Sequence, residues 1–175
     1  MSVANVSAIS RLFLIGPMGA GKTTIGTTYA RDMHMDFIDT DAYIEAKEGM
    51  SISDIFATKG ENYFREIESK VVEELIITTA NTVISTGGGL PLNKKVQSIL
   101  NRLGKVIYLQ ASPDTVWERV KASDNRPLLR CDNPYEKICD MLAKRSPVYE
   151  YVADVVINVD SKTIEELILQ YLSIW

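Results

Sequence analysis

A doubly wound α/β domain is what this sequence predicts, on three observations. Short apolar, β-rich runs alternate along the chain with longer stretches of helical character. The apolar runs are nearly continuous rather than alternating, as strands covered on both faces of a parallel sheet must be. The first run leads directly into Gly16-Pro17-Met18-Gly19-Ala20-Gly21-Lys22-Thr23, which matches G-x-x-x-x-G-K-[ST] in a strand–loop–helix setting. At 175 residues the chain suits one domain, long enough for a real core and too short for two.

In chain order, the strand Leu12–Ile15 precedes the glycine loop, and a helix over Lys22–Met33 follows it. Phe37–Asp39 is a second strand with an acidic end, followed by helical Asp41–Ala46, Ser53–Lys59 and Glu61–Thr79. Val83–Thr86 runs into Gly87-Gly88-Gly89, then a helix over Leu92–Arg102. Val106–Leu109 and Val155–Val159 are the remaining strands, separated by helices over Pro113–Lys121 and Pro134–Tyr151. A last helix over Lys162–Leu172 has Ile164, Leu167, Ile168 and Tyr171 at 3.6-residue spacing. Ser123 to Asn133 is polar and basic without a hydrophobic period, and reads as a mobile flap.

Ligands of doubly wound sheets sit beyond the carboxyl ends of the strands. Three strands end there in distinctive chemistry: the glycine loop, Asp39-Thr40-Asp41, and the triple glycine. The loop glycines let backbone N–H groups turn inward around phosphate oxygens, with Thr23 and Thr24 opening a helix whose positive end faces the same anion. Lys22 adds a point charge for the outer phosphates, and the Thr23 hydroxyl can ligate magnesium. Asp39 and Asp41, two apart on a strand, point the same way; one can hold magnesium through water while the other addresses a substrate hydroxyl. The alternative is that Asp41 only caps the next helix. Three glycines in one turn bring backbone close to a ligand without side-chain obstruction.

Positive charge must come from particular arginines, because the chain carries a net charge of −4. Arg65 lies three residues before Glu68 on one helical face, which makes either a surface ion pair or an oriented receptor for a substrate carboxylate. Arg126 in the flap could close on phosphates, and Arg145 precedes Ser146-Pro147-Val148-Tyr149; for each, a solvated surface arginine is the alternative. Acids and bases are interspersed, so nucleic acid is not an expected partner. The apolar runs are all shorter than the roughly 18 residues a membrane span needs, and the N-terminus has no basic leader. Cys131 and Cys139 lack metal-ligand spacing and read as reduced thiols of a cytoplasmic protein. His34, Trp117 and Trp175 read as structural residues.

These motifs together closely resemble the shikimate kinase family. GPMGAGKTTIG, F-I-D-T-D, G-E-x-x-F-R-x-x-E, S-T-G-G-G, R-P-L-L and K-R-S-P-V-Y occur in that family's order. The resemblance implies a three-layer P-loop kinase fold with strand order 2-3-1-4-5, phosphate loop 16–24, substrate region 39–70 and lid 123–133. It implies transfer of the ATP γ-phosphoryl group to the 3-hydroxyl of shikimate, in chorismate and aromatic amino-acid biosynthesis, with one magnesium ion and a monomeric enzyme. ATP would be held by Gly16, Met18, Gly19, Ala20, Gly21, Lys22, Thr23, Thr24, Arg119 (against adenine) and Arg126 (on the lid). Thr23 and Asp39 would hold the metal. Asp41 would bind shikimate hydroxyls and accept the proton. Arg65 and Arg145 would take the carboxylate, and Gly87, Gly88 and Gly89 would line the ring. Lys22, Asp41 and Arg126 are the catalytic set this implies.

Overall fold

The computed structural model describes residues 11–122, 129, 131–163, 166 and 167. Five parallel strands form one sheet: β1 (Arg11–Ile15), β2 (Asp36–Asp39), β3 (Thr82–Ser85), β4 (Lys105–Gln110) and β5 (Val155–Asn158), in the order β2-β3-β1-β4-β5. That is the architecture expected. The central strand β1 shows why it needs apolar residues on both sides. Leu12 and Leu14 face a core with Ile25, Val116 and Ile138, while Phe13 and Ile15 face another with Val71, Val96 and Tyr149.

Helices α1 (Lys22–Asp32), α2 (Thr40–Glu48), α3 (Ile52–Thr78), α4 (Lys94–Leu103), α5 (Pro113–Val120) and α6 (Pro134–Val152) cover the sheet. Their starts follow capping chemistry. Ser51, Asn93, Ser112 and Asn133 each accept a backbone N–H of their own helix, and Pro113 and Pro134 stand at the first position of α5 and α6. The predicted helix over Leu92–Arg102 divides. Leu90–Leu92 form a 3₁₀ turn, and Asn93 then caps α4, because its side chain takes the Lys95 N–H. Ser53–Lys59 and Glu61–Thr79 join into the single element α3, broken at Gly60 (φ 82°, ψ 169°), a conformation that only glycine adopts without strain.

Trp117 packs against the core, as expected for a structural residue, and the buried Tyr29 belongs to the same core. His34 sits just past α1 in the left-handed region. Of the predicted last helix, Glu166 and Leu167 are helical and Leu167 is buried; the rest lies outside the described residues, as does Trp175. Within the predicted flap, Leu129 packs on the core, Cys131 is exposed and Asn133 caps α6. Arg126 and its neighbours 123–128 and 130 lie outside the described residues. Among the described residues no helix is long and apolar enough to cross a membrane.

Candidate active site

The carboxyl ends of β1, β2 and β3 are adjacent in the sheet, so the three polar strand ends open on one crevice. At the end of β1, Gly16, Gly19 and Gly21 have φ of 140°, 74° and 89°, which turn the loop back toward the α1 N-terminus. Lys22 folds over this loop and donates to the carbonyls of Gly16 (2.9 Å) and Pro17 (2.8 Å). Its ammonium is therefore held within the phosphate loop by neutral acceptors. Arg119 on α5 donates to the Gly19 carbonyl (3.0 Å) and to the Val159 carbonyl past β5 (3.3 Å). It spans the loop's outer side, away from the β3 turn.

Three side-chain oxygens meet beside the loop. Asp39 Oδ2 accepts from the Thr23 hydroxyl (2.9 Å) and the Ser85 hydroxyl (3.1 Å). Ser85 was not among the sequence candidates. The signal for it is the parallel register, which places Ser85 directly beside Asp39. Hard oxygen donors from a carboxylate and two hydroxyls suit magnesium rather than a softer metal.

The strand-spacing argument for Asp39 and Asp41 fails. Asp39 ends β2 and is itself the helix cap, its Oδ1 accepting from the N–H groups of Asp41 (3.1 Å) and Ala42 (3.4 Å). Asp41 is in the first turn of α2, so it is neither a strand residue nor the cap. The helical turn sends it to the other neighbour: a Cβ placed on Gly87 would stand 2.6 Å from Asp41 Oδ1 and 2.7 Å from Glu68 Oε1. The two aspartates are thus separated by backbone rotation, one toward Thr23 and Ser85, the other toward the glycine turn.

Arg65 is more than an exposed surface pair: it is partly buried and oriented by Glu68. Its Nη1 lies 2.8 Å from Glu68 Oε2, and Glu68 is only 2% exposed. Glu61 adds a more exposed contact at 3.1 Å. Burial opposes the Arg65 charge, but Glu68 and Glu61 hold its pKa above the ordinary value. Burial also raises the Glu68 pKa, against the pull of Arg65; Asp41 adds to the rise. The Glu68 carboxylate is thus a costly group whose ionised form depends on the guanidinium beside it.

Each glycine of the β3 turn faces a different part of this arrangement. Gly87 abuts Asp41 and Glu68, and its N–H donates to the buried Thr40 hydroxyl (2.9 Å). A Cβ on Gly89 would come 2.2 Å from Arg65 Nη1 and 2.6 Å from its Cζ. Gly88 faces Arg145, Tyr149 and the Gly16 carbonyl. Its own carbonyl accepts from the Tyr149 hydroxyl at 2.5 Å and, at 3.5 Å, from Arg145 Nη1. The turn is a shared wall on which Asp41, Arg65 and Arg145 converge, with the phosphate loop behind Gly88.

A family model described as shikimate kinase matches residues 18–174. The chain belongs to the shikimate kinase family. Shikimate kinase of Francisella tularensis subsp. holarctica is 40% identical over 157 residues, covering 90% of this chain and 89% of its own. That of Sulfurihydrogenibium sp. is 41% identical over 165 residues, covering 94% and 97%. Among solved structures, shikimate kinase from Acinetobacter baumannii in complex with shikimate superposes with a TM-score of 0.91 at 35% identity, covering 95% of this chain and 93% of that one. A gluconokinase from Sinorhizobium meliloti 1021 reaches a TM-score of 0.59 at 17% identity, a likeness of fold alone.

Proposed function

We propose that this protein transfers the γ-phosphoryl group of ATP to the 3-hydroxyl of shikimate, giving shikimate 3-phosphate and ADP. One observation carries the reading: Asp41, the Arg65–Glu68 pair and Arg145 all close on the triple-glycine turn, whose other side meets the phosphate loop. A hydroxy acid seated on that turn has a carboxylate acceptor for its hydroxyls at one end and guanidinium donors for its carboxylate at the other. A neutral polyol or a nucleoside offers those guanidinium donors no carboxylate and so forgoes that charge-assisted binding.

In this reading the loop N–H groups and the α1 N-terminus hold the β-phosphate, and Lys22 leaves the Gly16 and Pro17 carbonyls for the outer phosphates. Thr23 and Asp39, with Ser85, would hold one magnesium ion, which when bound neutralises phosphate charge. Asp41 orients the attacking hydroxyl and takes its proton, while Arg65 and Arg145 fix the other end of the ring. Arg119 packs against adenine. Arg126 supplies the lid charge; that assignment rests on the family resemblance. A cytoplasmic enzyme belongs to the same reading. A monomer is the proposed state.

The test is ADP release with shikimate, quinate, gluconate and AMP offered side by side. Turnover should be fastest with shikimate and negligible with gluconate and AMP. Comparable turnover with gluconate would sink the reading. A shikimate methyl ester should be a poor substrate, because it removes the charge that the arginines read.

A further inference from the structure

Beneath Arg145 lies a pair of buried tyrosines that the phosphoryl transfer above does not use. Tyr149 is 0% exposed and its ring packs against that of Tyr108, centroids 5.1 Å apart at 46°. Tyr108 turns its hydroxyl to the Ser146 hydroxyl (3.3 Å), whereas Tyr149 sends its own into the turn, donating to Gly88 O at 2.5 Å. Arg145 and Tyr149 are four apart on α6, so both leave the same helix face toward the same carbonyl. The tyrosine holds it closely. The guanidinium reaches it only at 3.5 Å, the limit of a hydrogen bond.

A partly buried carbonyl must be satisfied, and its two lone pairs here have two candidate donors. With the hydroxyl in place, Gly88 O has a short neutral donor and makes little demand on the cation. Without it, Nη1 is the donor at hand, and a charge-assisted bond to a dehydrated carbonyl would draw the guanidinium onto the turn. We propose that Tyr149 is a positioning residue for carboxylate recognition: by satisfying Gly88 O, its hydroxyl leaves Arg145 available for the substrate carboxylate. The same bond fixes the wall between the two substrates, since a Cβ on Gly88 would lie 3.4 Å from Gly16 O of the phosphate loop. Burial pushes the Tyr149 pKa up to about 12 against the pull of the Arg145 guanidinium, which also hydrogen-bonds the hydroxyl. The group therefore stays a neutral donor to Gly88 O across the working pH range and is itself a contact that aims Arg145. The inference rests on the reading of Arg145 given above.

Tyr149→Phe keeps the ring and its packing on Tyr108 and removes only the donor. It is compared with Arg145→Ala, the double variant, and Ser146→Ala as a packing control that loses the Tyr108 contact alone. Steady-state constants are measured for ATP, shikimate and shikimate methyl ester. Tyr149→Phe should raise the KM for shikimate about tenfold, the scale of the charge-assisted bond to Gly88 O that the guanidinium must give up to reach the carboxylate. Its kcat, its KM for ATP and its constants for the ester should stay within about twofold. Ser146→Ala should match wild type. The double variant should lose no more than Arg145→Ala, because the hydroxyl acts only through that guanidinium. Equal losses on acid and ester in Tyr149→Phe, an unchanged KM for shikimate, or additive losses in the double variant would overturn the proposal. If Arg145→Ala itself loses acid and ester equally, the carboxylate reading of Arg145 fails and the inference falls with it. An acid-specific loss in Arg145→Ala without one in Tyr149→Phe sinks the tyrosine's role alone.

Discussion

Asp39 and Asp41 face different neighbours because one residue of helix stands between them. Asp39 faces Thr23 and Ser85, so Asp39→Asn should shift the magnesium titration to higher concentration while shikimate binding without nucleotide stays nearly intact. Asp41→Asn keeps the shape but loses an acceptor and a base, so binary shikimate binding and kcat should both fall, without rescue by added magnesium. Calorimetry with a metal titration on both variants decides this; rescue of Asp41→Asn by metal would reverse the roles. Glu68 sets a second residue-scale test. Its folded pKa is raised above the ordinary 4.5, so the native state binds its proton more tightly than the unfolded chain does. That preference stabilises the fold below the unfolded pKa and is lost as pH rises through the folded value. Glu68→Gln, which cannot ionise, should therefore gain on wild type in melting temperature as pH rises above the ordinary 4.5 and through the raised folded value. It should also raise the shikimate KM, since Arg65 loses its charged anchor. A melting difference independent of pH would mean that Glu68 has no raised pKa.

At the scale of elements, the turn after β3 is the piece on which three separate helices depend. Asp41 comes from α2, Arg65 and Glu68 from α3, and Arg145 and Tyr149 from α6. They meet because Gly87 and Gly89 lack the one atom that would obstruct Asp41, Glu68 and Arg65. Gly89→Ala would drive a methyl group into the Arg65 guanidinium, with contacts of 2.2 and 2.6 Å. The arginine must move, so shikimate KM should rise by an order of magnitude or more, about the cost of losing one charged partner. KM for ATP should hardly change, since Gly89 does not touch the phosphate loop. At Gly88 the nearest contacts are 3.4 to 3.7 Å, so Gly88→Ala should be much milder. Equal effects from the two alanines would show that backbone conformation, not the approach of Arg65, limits the turn. The break at Gly60 belongs to this scale too. It lies five residues before Arg65 and was legible as a gap between two helical stretches.

Across the whole molecule, a net charge of −4 is combined with a crevice where Lys22, Arg65 and Arg145 gather. Ligand binding at such a site is a measurable part of folding stability. Shikimate at about a hundred times its Kd adds roughly 2.7 kcal/mol, which for a domain of this size raises the melting temperature by roughly 5–10 °C. At that same concentration Arg65→Ala should show a far smaller ligand-induced rise over its own unliganded Tm, which itself falls because the buried Glu68 loses its charged partner. A full ligand-induced rise in Arg65→Ala would remove Arg65 from the carboxylate site. A fold of this kind does not by itself name a substrate.

The sequence by itself determined the class of fold and the nucleotide end of the crevice. Apolar strand runs, helix periodicity and the G-x-x-x-x-G-K-T loop are local signals, each written within a few consecutive residues. It also supplied Arg65 and Glu68 as neighbours on one helical face, but not their burial, which comes from packing against the β3 turn. Tertiary structure alone decided what required pairing distant segments. Ser85 joins Asp39 across a parallel register, and Tyr149 reaches Gly88 from sixty-one residues away. It also decided which way Asp41 faces, because the helix starts at Thr40 and its first turn replaces the strand pleat that the spacing alone suggested. Local pattern sets backbone class; the direction of a side chain at an element's end depends on where the next element begins, and that is fixed by packing.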